Sequence, residues 1–389
     1  MESMDSIPVR RLAWLVFILA CAVFTTVYVP QPVLPVLRAE FGVGEGLASY
    51  TVSALILGMA LANLPFGALA DRHPVRPIIL AGGLAVAAFG AASALAPGLR
   101  SLIAVRFLQG LFVPALTTCL AAYLGRAVPP ERLNVVLGSY VSATVVGGLS
   151  GRLLSGWAFP ANHWRWAFLA SSAFLLAATL SAYLLLPREE GALHRTAQAS
   201  RFRDVLLRQD LFRIYCVGGG AFFVFSSVFN YLPFYLHGPP FGWGTRSITL
   251  VYLSYLAGVV TGPLAGRLSN RIGNGAAMVA GSAVLALALA LTLVPHAWAV
   301  ALSLTLVCVG FFTVHASAAA ALNLKLEAGR GKANAMYVLI YYLGGALGIT
   351  LAGRAYQAAG WRGVAGVAGL ALLVPLSTGL AEWRAAPDR

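Results

Sequence analysis

Charge is what this sequence has least of. Of 389 residues, 10% are Asp, Glu, Lys or Arg and 59% are hydrophobic, and the mean hydropathy is +0.80. A soluble domain carries roughly a quarter of its residues as charges, because its surface must stay in water. A chain this poor in charge turns most of its surface toward something apolar. Acid is scarcer than base, with 13 Asp and Glu against 27 Lys and Arg for a net charge of +14. That excess does not indicate nucleic acid, because the basic residues stand singly between apolar runs and form no continuous face to track a phosphate backbone. Cysteine is also rare. Cys21, Cys119, Cys216 and Cys308 all lie inside apolar runs, with no CxxC or Cys/His spacing, which excludes a disulfide framework and a zinc site and leaves packing. No paired carboxylates, histidine cluster or activated Ser or Cys stands at a spacing suited to catalysis. The composition therefore argues against an enzyme, and no cofactor or metal is expected.

Apolar runs fill the space that charge leaves. They fall at 12–36, 47–70, 77–96, 101–125, 135–157 and 165–186, then at 211–236, 248–268, 276–294, 299–323, 334–356 and 364–382. About 20 apolar residues suffice to cross a bilayer as a helix, so twelve crossings are expected. The first run is long enough to cross a bilayer and reads as a membrane helix rather than a signal peptide. Between the two sets lies the one long hydrophilic stretch. In it Phe202, Val205 and Leu206 share the i, i+3, i+4 spacing of a short amphipathic surface helix. The expected organisation is a six-helix bundle over 1–186, a linker over 187–210 and a second bundle over 211–389.

Orientation follows from the arginines and lysines. With both termini cytoplasmic, Arg10, Arg11, Arg72, Arg76, Arg126, Arg132, Arg267, Arg271, Lys325, Lys332 and the whole linker fall inside. Only Arg38, Arg100, Arg165, Arg246 and Arg362 fall outside. That bias is the positive-inside pattern of a multi-pass protein of the cytoplasmic (inner) membrane.

The two halves repeat one another roughly 199 residues apart. Gly67-Ala-Leu-Ala-Asp71-Arg72 returns as Gly266-Arg-Leu-Ser-Asn270-Arg271, and Gly147-Gly148-x-x-Gly151 returns as Gly344-Gly345-x-x-Gly348. Trp164-Arg165 returns as Trp361-Arg362. Duplicated six-helix halves are the architecture of rocking-bundle carriers. The segment Gly67-Ala-Leu-Ala-Asp71-Arg72-His-Pro-Val-Arg76 resembles the loop signature that follows the second helix in the major facilitator superfamily. Arg106-Phe-Leu-Gln109-Gly110 resembles that superfamily's fourth-helix motif, and the glycines of the fifth run are similar to its antiporter motif. Pro74 and Val75 replace the usual Gly-Arg of the loop, the fifth run lacks the motif's proline, and the first run has no acidic residue. The resemblance implies an all-α membrane fold of 12 transmembrane helices in two pseudo-symmetric bundles. It is closest to bacterial drug and sugar exporters. It implies proton-coupled export of a small organic molecule by a monomer whose partners are substrate, protons and lipid.

Ionisable residues at membrane depth are the candidate site. A charge at mid-bilayer costs about 2.5–3.5 kcal/mol on the insertion scale, so it faces a cavity or a partner. Arg106, Arg152, His315 and, nearer an end, Arg354 lie inside runs, whereas Glu40 and Glu45 fall in a loop and Glu382 at a run's end. Without a carboxylate partner, Arg106 and Arg152 suit an anion held by a planar fork of donors, hence a second reading: a carrier of a small organic anion. Two alternatives stand beside it. Arg106 can bond backbone carbonyls of the first or fifth helix, and Arg152 can snorkel to the headgroups. The expected substrate-binding residues are Arg106, Arg152, Tyr28, Gln31, Asn230, Tyr231 and Tyr341. His315, as the histidine inside a run, and Arg106 are the expected proton-coupling pair, packing being the alternative role for the histidine. Asp71, Arg72 and Arg76, with Gly147, Gly148, Gly151, Gly344 and Gly345, are expected to gate, Asp71 as a latch beside the start of the eleventh helix. Pro30, Pro32, Pro35 and Pro233 mark the first and seventh helices as bent. The topology is open to direct measurement. Cysteines placed at Gly98, Gly242 and Gly360 are expected to label from outside the cell and one at Ala192 to be protected; the reverse pattern inverts the orientation.

Overall fold

The computed structural model describes residues 9–128, 130–187, 208–326 and 330–385. Among the described residues all regular structure is helical. The first half comprises α1 (Arg10–Phe41), α2 (Glu45–Arg72), α3 (Val75–Ala94), α4 (Leu99–Arg126), α5 (Pro130–Leu153) and α6 (Trp164–Leu185). The second comprises α7 (Gln209–His237), α8 (Thr245–Ile272), α9 (Asn274–Leu291) and α10 (Ala297–Leu324). A last helical stretch, Arg330–Arg384, breaks at Ala359 and Gly360 into α11 (330–358) and α12 (361–384). Gly360 has φ 58°, a left-handed backbone that glycine reaches without a Cβ clash, which makes the hairpin tight. Ten stretches are long and apolar enough to span a membrane. The last of them holds two helices, and α5, with 24 residues, is about 36 Å long at 1.5 Å per residue. The expected twelve helices are present.

Helix is the conformation the medium demands, because lipid offers nothing to a free peptide group. Hydroxyls obey the same rule and turn back on their own helix: Ser172 bonds Phe168 O at 2.8 Å, Ser282 bonds Met278 O at 2.8 Å and Thr313 bonds Val309 O at 2.8 Å. Large apolar side chains point outward all round, Leu184 being 73% and Leu324 78% exposed, as a lipid-facing surface requires. Exposed tryptophans mark helix ends, with Trp14 near one end of the first unit and Trp157 and Trp166 near the other, the placement of an interfacial belt.

The chain forms two compact units, Met1–Val33 with Ala54–Ala197 and Leu34–Ser53 with Gln198–Arg389. The division differs from a simple cut in the linker, because the second unit also takes in the end of α1 and the start of α2. Leu34–Phe41 packs on α7, and Gly44 and Gly46 lie against Gln357 of α11. Residues 188–207 of the expected linker, with its amphipathic segment, lie outside the described residues.

Each unit is built on the same crossings. In the first, α1 packs on α5 and α3 on α4 and α6; in the second, α7 packs on α11 and α9 on α10 and α12. Glycine permits the tightest of these. A Cβ at Gly147 or Gly151 would collide with the carbonyls of Cys21 and Thr25 in α1, and one at Gly344 or Gly348 with those of Gly219 and Phe223 in α7. Hydroxyls then stitch the seams. Thr25 Oγ1 donates to Cys21 O at 2.8 Å and approaches Gly147 O at 3.3 Å. Ser226 Oγ reaches Phe222 O at 2.6 Å and Gly345 O at 3.0 Å. Gly147→Val and Gly344→Val are each expected to destabilise by about 1–3 kcal/mol or more through overpacking. Thermal unfolding in detergent checks this, with Gly262→Val, which meets open space, as the silent control.

Candidate functional site

The polar interior of the first unit is organised by a broken helix. The first segment of α1 ends at Tyr28, a 3₁₀ turn covers Gln31–Val33 and helix resumes over Leu34–Phe41. Pro30 has no N–H for the carbonyl of Thr26, and the break leaves the carbonyl of Val27 open as well. Both are taken by Arg106 of α4, whose Nη1 donates to Thr26 O at 2.9 Å and Nη2 to Val27 O at 2.6 Å. Nη1 also donates to Gln109 Oε1 at 2.6 Å, and Gln109 Nε2 to Val86 O of α3 at 3.1 Å. The Phe168 ring of α6 lies 5.6 Å from the guanidinium. Arg106 is wholly buried. It braces four helices, and its charge faces the negative end of a helix dipole.

Arg152 works on the other side of the same break. Its Nε donates to Gln31 Oε1 at 2.8 Å, its Nη1 to Gly148 O at 2.6 Å, and its guanidinium lies 4.2 Å from the centre of the Tyr28 ring. A Cβ at Gly148 would press on that ring and on Arg152. The helix passes at once into a π-helical turn over Leu154–Ala158, an irregularity frequent at functional sites. Tyr28, Gln31 and Arg152 thus form one cluster. Of the two alternatives to an anion site, the bonding of Arg106 to carbonyls of the first helix is what the structure shows, whereas Arg152 does not snorkel, being wholly buried. Neither guanidinium stands bare: carbonyl and amide oxygens do the work expected of a carboxylate. A helix break gathers such oxygens at one spot, which spacing along the sequence does not reveal.

The second unit meets the same problem with a neutral group. Pro233 of α7 leaves the carbonyl of Phe229 without its helical donor, and Tyr252 OH of α8 donates to it at 3.0 Å. Here α8 tightens into a 3₁₀ turn over Tyr252–Tyr255. Tyr231 OH donates to Ile349 O of α11 at 3.0 Å, so its hydroxyl ties α7 to α11. Asn230 is wholly buried, and neither atom of its amide has a partner among the described residues.

His315, half-buried in α10, sits in a bed of rings. Its Nδ1 lies 2.9 Å from Tyr337 OH of α11. Phe311 lies parallel to it at 5.7 Å and Tyr341 tilts against it at 5.1 Å. Tyr341 in turn stacks on Phe222 at 4.0 Å. Sequence reasoning missed Tyr337, Tyr252 and Gln109 as partners. Only Tyr337 left a trace, four residues before Tyr341 on the same helical face. Of the expected gating group, Asp71 and Arg72 are exposed at the end of α2. Arg76 donates to the carbonyl of Tyr183 in α6 and lies 5.2 Å from that ring's centre. Arg126 of α4 caps Ala70 O at 2.7 Å. Arg354 is exposed.

Two repeated six-helix units with prolines in their first helices, glycine-packed seams and buried polar clusters at membrane depth define a polytopic membrane carrier. The sequence profile of the Major Facilitator Superfamily matches residues 16–321 and 241–381, and the chain belongs to that family. It is 31% identical over 383 residues to the inner membrane transport protein YnfM of Escherichia coli K12, covering 95% of this chain and 89% of that protein. Over 154 residues, 40% of this chain and 28% of the other, it is 30% identical to a multidrug resistance protein B homologue of Mycobacterium tuberculosis. In fold it is similar to a bacterial homologue of the human lysosomal transporter Spinster, with a TM-score of 0.78 at 14% identity over 97% of this chain and 98% of the other.

The caps can be weighed by substitution. Removing a partner from a buried carbonyl costs about 1–3 kcal/mol. Arg106→Ala, which opens two carbonyls and Gln109, is expected to lower thermal stability in detergent more than Tyr252→Phe, which opens one. Arg106→Lys, with a point charge in place of a fork, is expected to fall between Arg106→Ala and the unaltered protein.

Proposed function

We propose that this transporter exports a small organic molecule from the cytoplasm in exchange for protons. The observation that carries the reading is the His315–Tyr337 pair. A histidine titrates near neutrality in its unperturbed state. This one lies within a span, with one ring nitrogen on a phenol and its ring half-buried. The runs hold no carboxylate at mid-depth, so the histidine is the natural proton carrier of the chain. Similarity over part of the chain to a multidrug resistance protein homologue supports export of a small organic compound. Tyr28, Gln31, Arg152, Asn230 and Tyr341 are the proposed substrate contacts. Arg106 acts through the break in α1, and Asp71, Arg72 and Arg76 with the seam glycines govern the conformational change. The proposed setting is the inner membrane, with both termini cytoplasmic and the monomer as the working unit.

The organic-anion carrier is the second reading. Arg152 beside Tyr28 and Gln31 favours it. Against it, both arginines already donate to oxygen atoms of the chain. Ethidium uptake into inverted vesicles under an imposed pH gradient separates the two. Export predicts gradient-dependent uptake that His315→Gln abolishes, reducing the rate by about tenfold or more, while downhill exchange survives. Undiminished gradient-driven uptake in His315→Gln removes the histidine from the mechanism. Flux of benzoate with no ethidium movement supports the anion carrier instead.

A further inference from the structure

The seam between α7 and α11 has a missing rung. On the α7 face that meets α11, Ser226 donates to Gly345 O at 3.0 Å and Tyr231 to Ile349 O at 3.0 Å, while Phe234 lies 6.2 Å from the Tyr356 ring. Asn230 is one helical turn after Ser226 and one before Phe234, so it stands on that face. It is wholly buried with both amide atoms unpartnered among the described residues. Leaving a buried carboxamide unmade is costly. With its donor and acceptor both open among the described residues, the amide points to a ligand.

The surroundings specify that ligand. Tyr231 and Tyr356 stack at 5.5 Å, and Tyr231 and Phe234 lie 6.0 Å apart, so the neighbouring surface is aromatic. The charges that act on Tyr356, Glu45 and Arg38, pair with one another at 3.2 Å and offer little to an ion. We propose that Asn230 anchors a binding site on the α7–α11 seam for an uncharged planar group with a donor and an acceptor side by side, a primary carboxamide or lactam. Its edge would bond the Asn230 amide twice and its face would lie on the Tyr231, Phe234 and Tyr356 rings. The assignment deepens the transporter reading by naming a substrate class and rests on it.

The test uses the purified full-length chain in detergent without a proton gradient, so that its failure is separate from failure of proton coupling. Thermal unfolding is followed with millimolar benzamide and, separately, benzoate, for the unaltered protein, Asn230→Val and Asn230→Gln. Benzamide is expected to raise the melting temperature of the unaltered protein and benzoate to leave it unchanged. Asn230→Val is expected to melt at or above the unaltered protein when no ligand is added, and to lose the benzamide shift. Asn230→Gln, with the same amide displaced by one methylene, is expected to need at least tenfold more benzamide for the same shift. The proposal is overturned by any of three results: no benzamide shift in the unaltered protein, an equal shift with benzoate, or a shift that survives in Asn230→Val. A marked fall in melting temperature of Asn230→Val without ligand also overturns it, because the amide would then be a structural bond.

Discussion

A peptide carbonyl inside a membrane needs a donor, and a proline one turn later takes its donor away. Much of the polar interior of this transporter answers that one constraint. Pro30 opens the carbonyl of Thr26 and Arg106 fills it; Pro233 opens that of Phe229 and Tyr252 fills it. In water such a carbonyl would be solvated and nothing further would follow. In a helix bundle the cap must come from a neighbouring helix, so each bend also becomes a joint between helices. Arg106 joins α4 to α1 and, through Gln109, to α3. Tyr252 joins α8 to α7.

The two joints differ in strength. A guanidinium gives several charge-assisted bonds in fixed directions and faces the negative end of a helix segment. A phenol gives one neutral bond. The first unit therefore holds its bend with a cation and an amide network, and adds Arg152 on Gln31 and Tyr28. The second holds its bend with a single hydroxyl and leaves Asn230 open three residues before the proline. Both units carry prolines in their first helix, but only that of α1 is broken. Divergence made one unit a rigid polar brace, and gave the other aromatic rings, a histidine and an unmet amide, groups suited to a ligand or a proton.

These assignments also explain why intramembrane charge persists in so apolar a chain. A buried arginine is tolerated where the backbone presents oxygens that nothing else can satisfy, and a broken helix presents them in a cluster. Replacing such an arginine by an apolar residue would not simply relieve a desolvation cost, since it would transfer the deficit to two carbonyls. Arg106 belongs to this class, whereas Arg152 meets the Gln31 side chain and a carbonyl of its own helix.

The amino-acid sequence by itself determined the medium, the twelve helices, the duplication and the family resemblance. All of these rest on local quantities: apolar runs of bilayer length and motifs repeated in register. It also singled out Tyr28, Gln31, Arg152, Asn230 and His315, because polar groups at membrane depth are rare enough to stand out one at a time. What each of them bonds was decided only by tertiary structure. Thr26 and Arg106 are 80 residues apart, and Gln31 and Arg152 are 121 apart. Three of the oxygens that meet the arginines, those of Thr26, Val27 and Gly148, belong to the backbone, which has no signature in residue type. The assignment of Leu34–Ser53 to the second compact unit was likewise out of reach of hydropathy, since that division is made by packing across distant helices. Periodicity along one chain tells which residues share a helix face; which face meets which neighbour, and whose carbonyl lies waiting there, is known only when the helices are assembled.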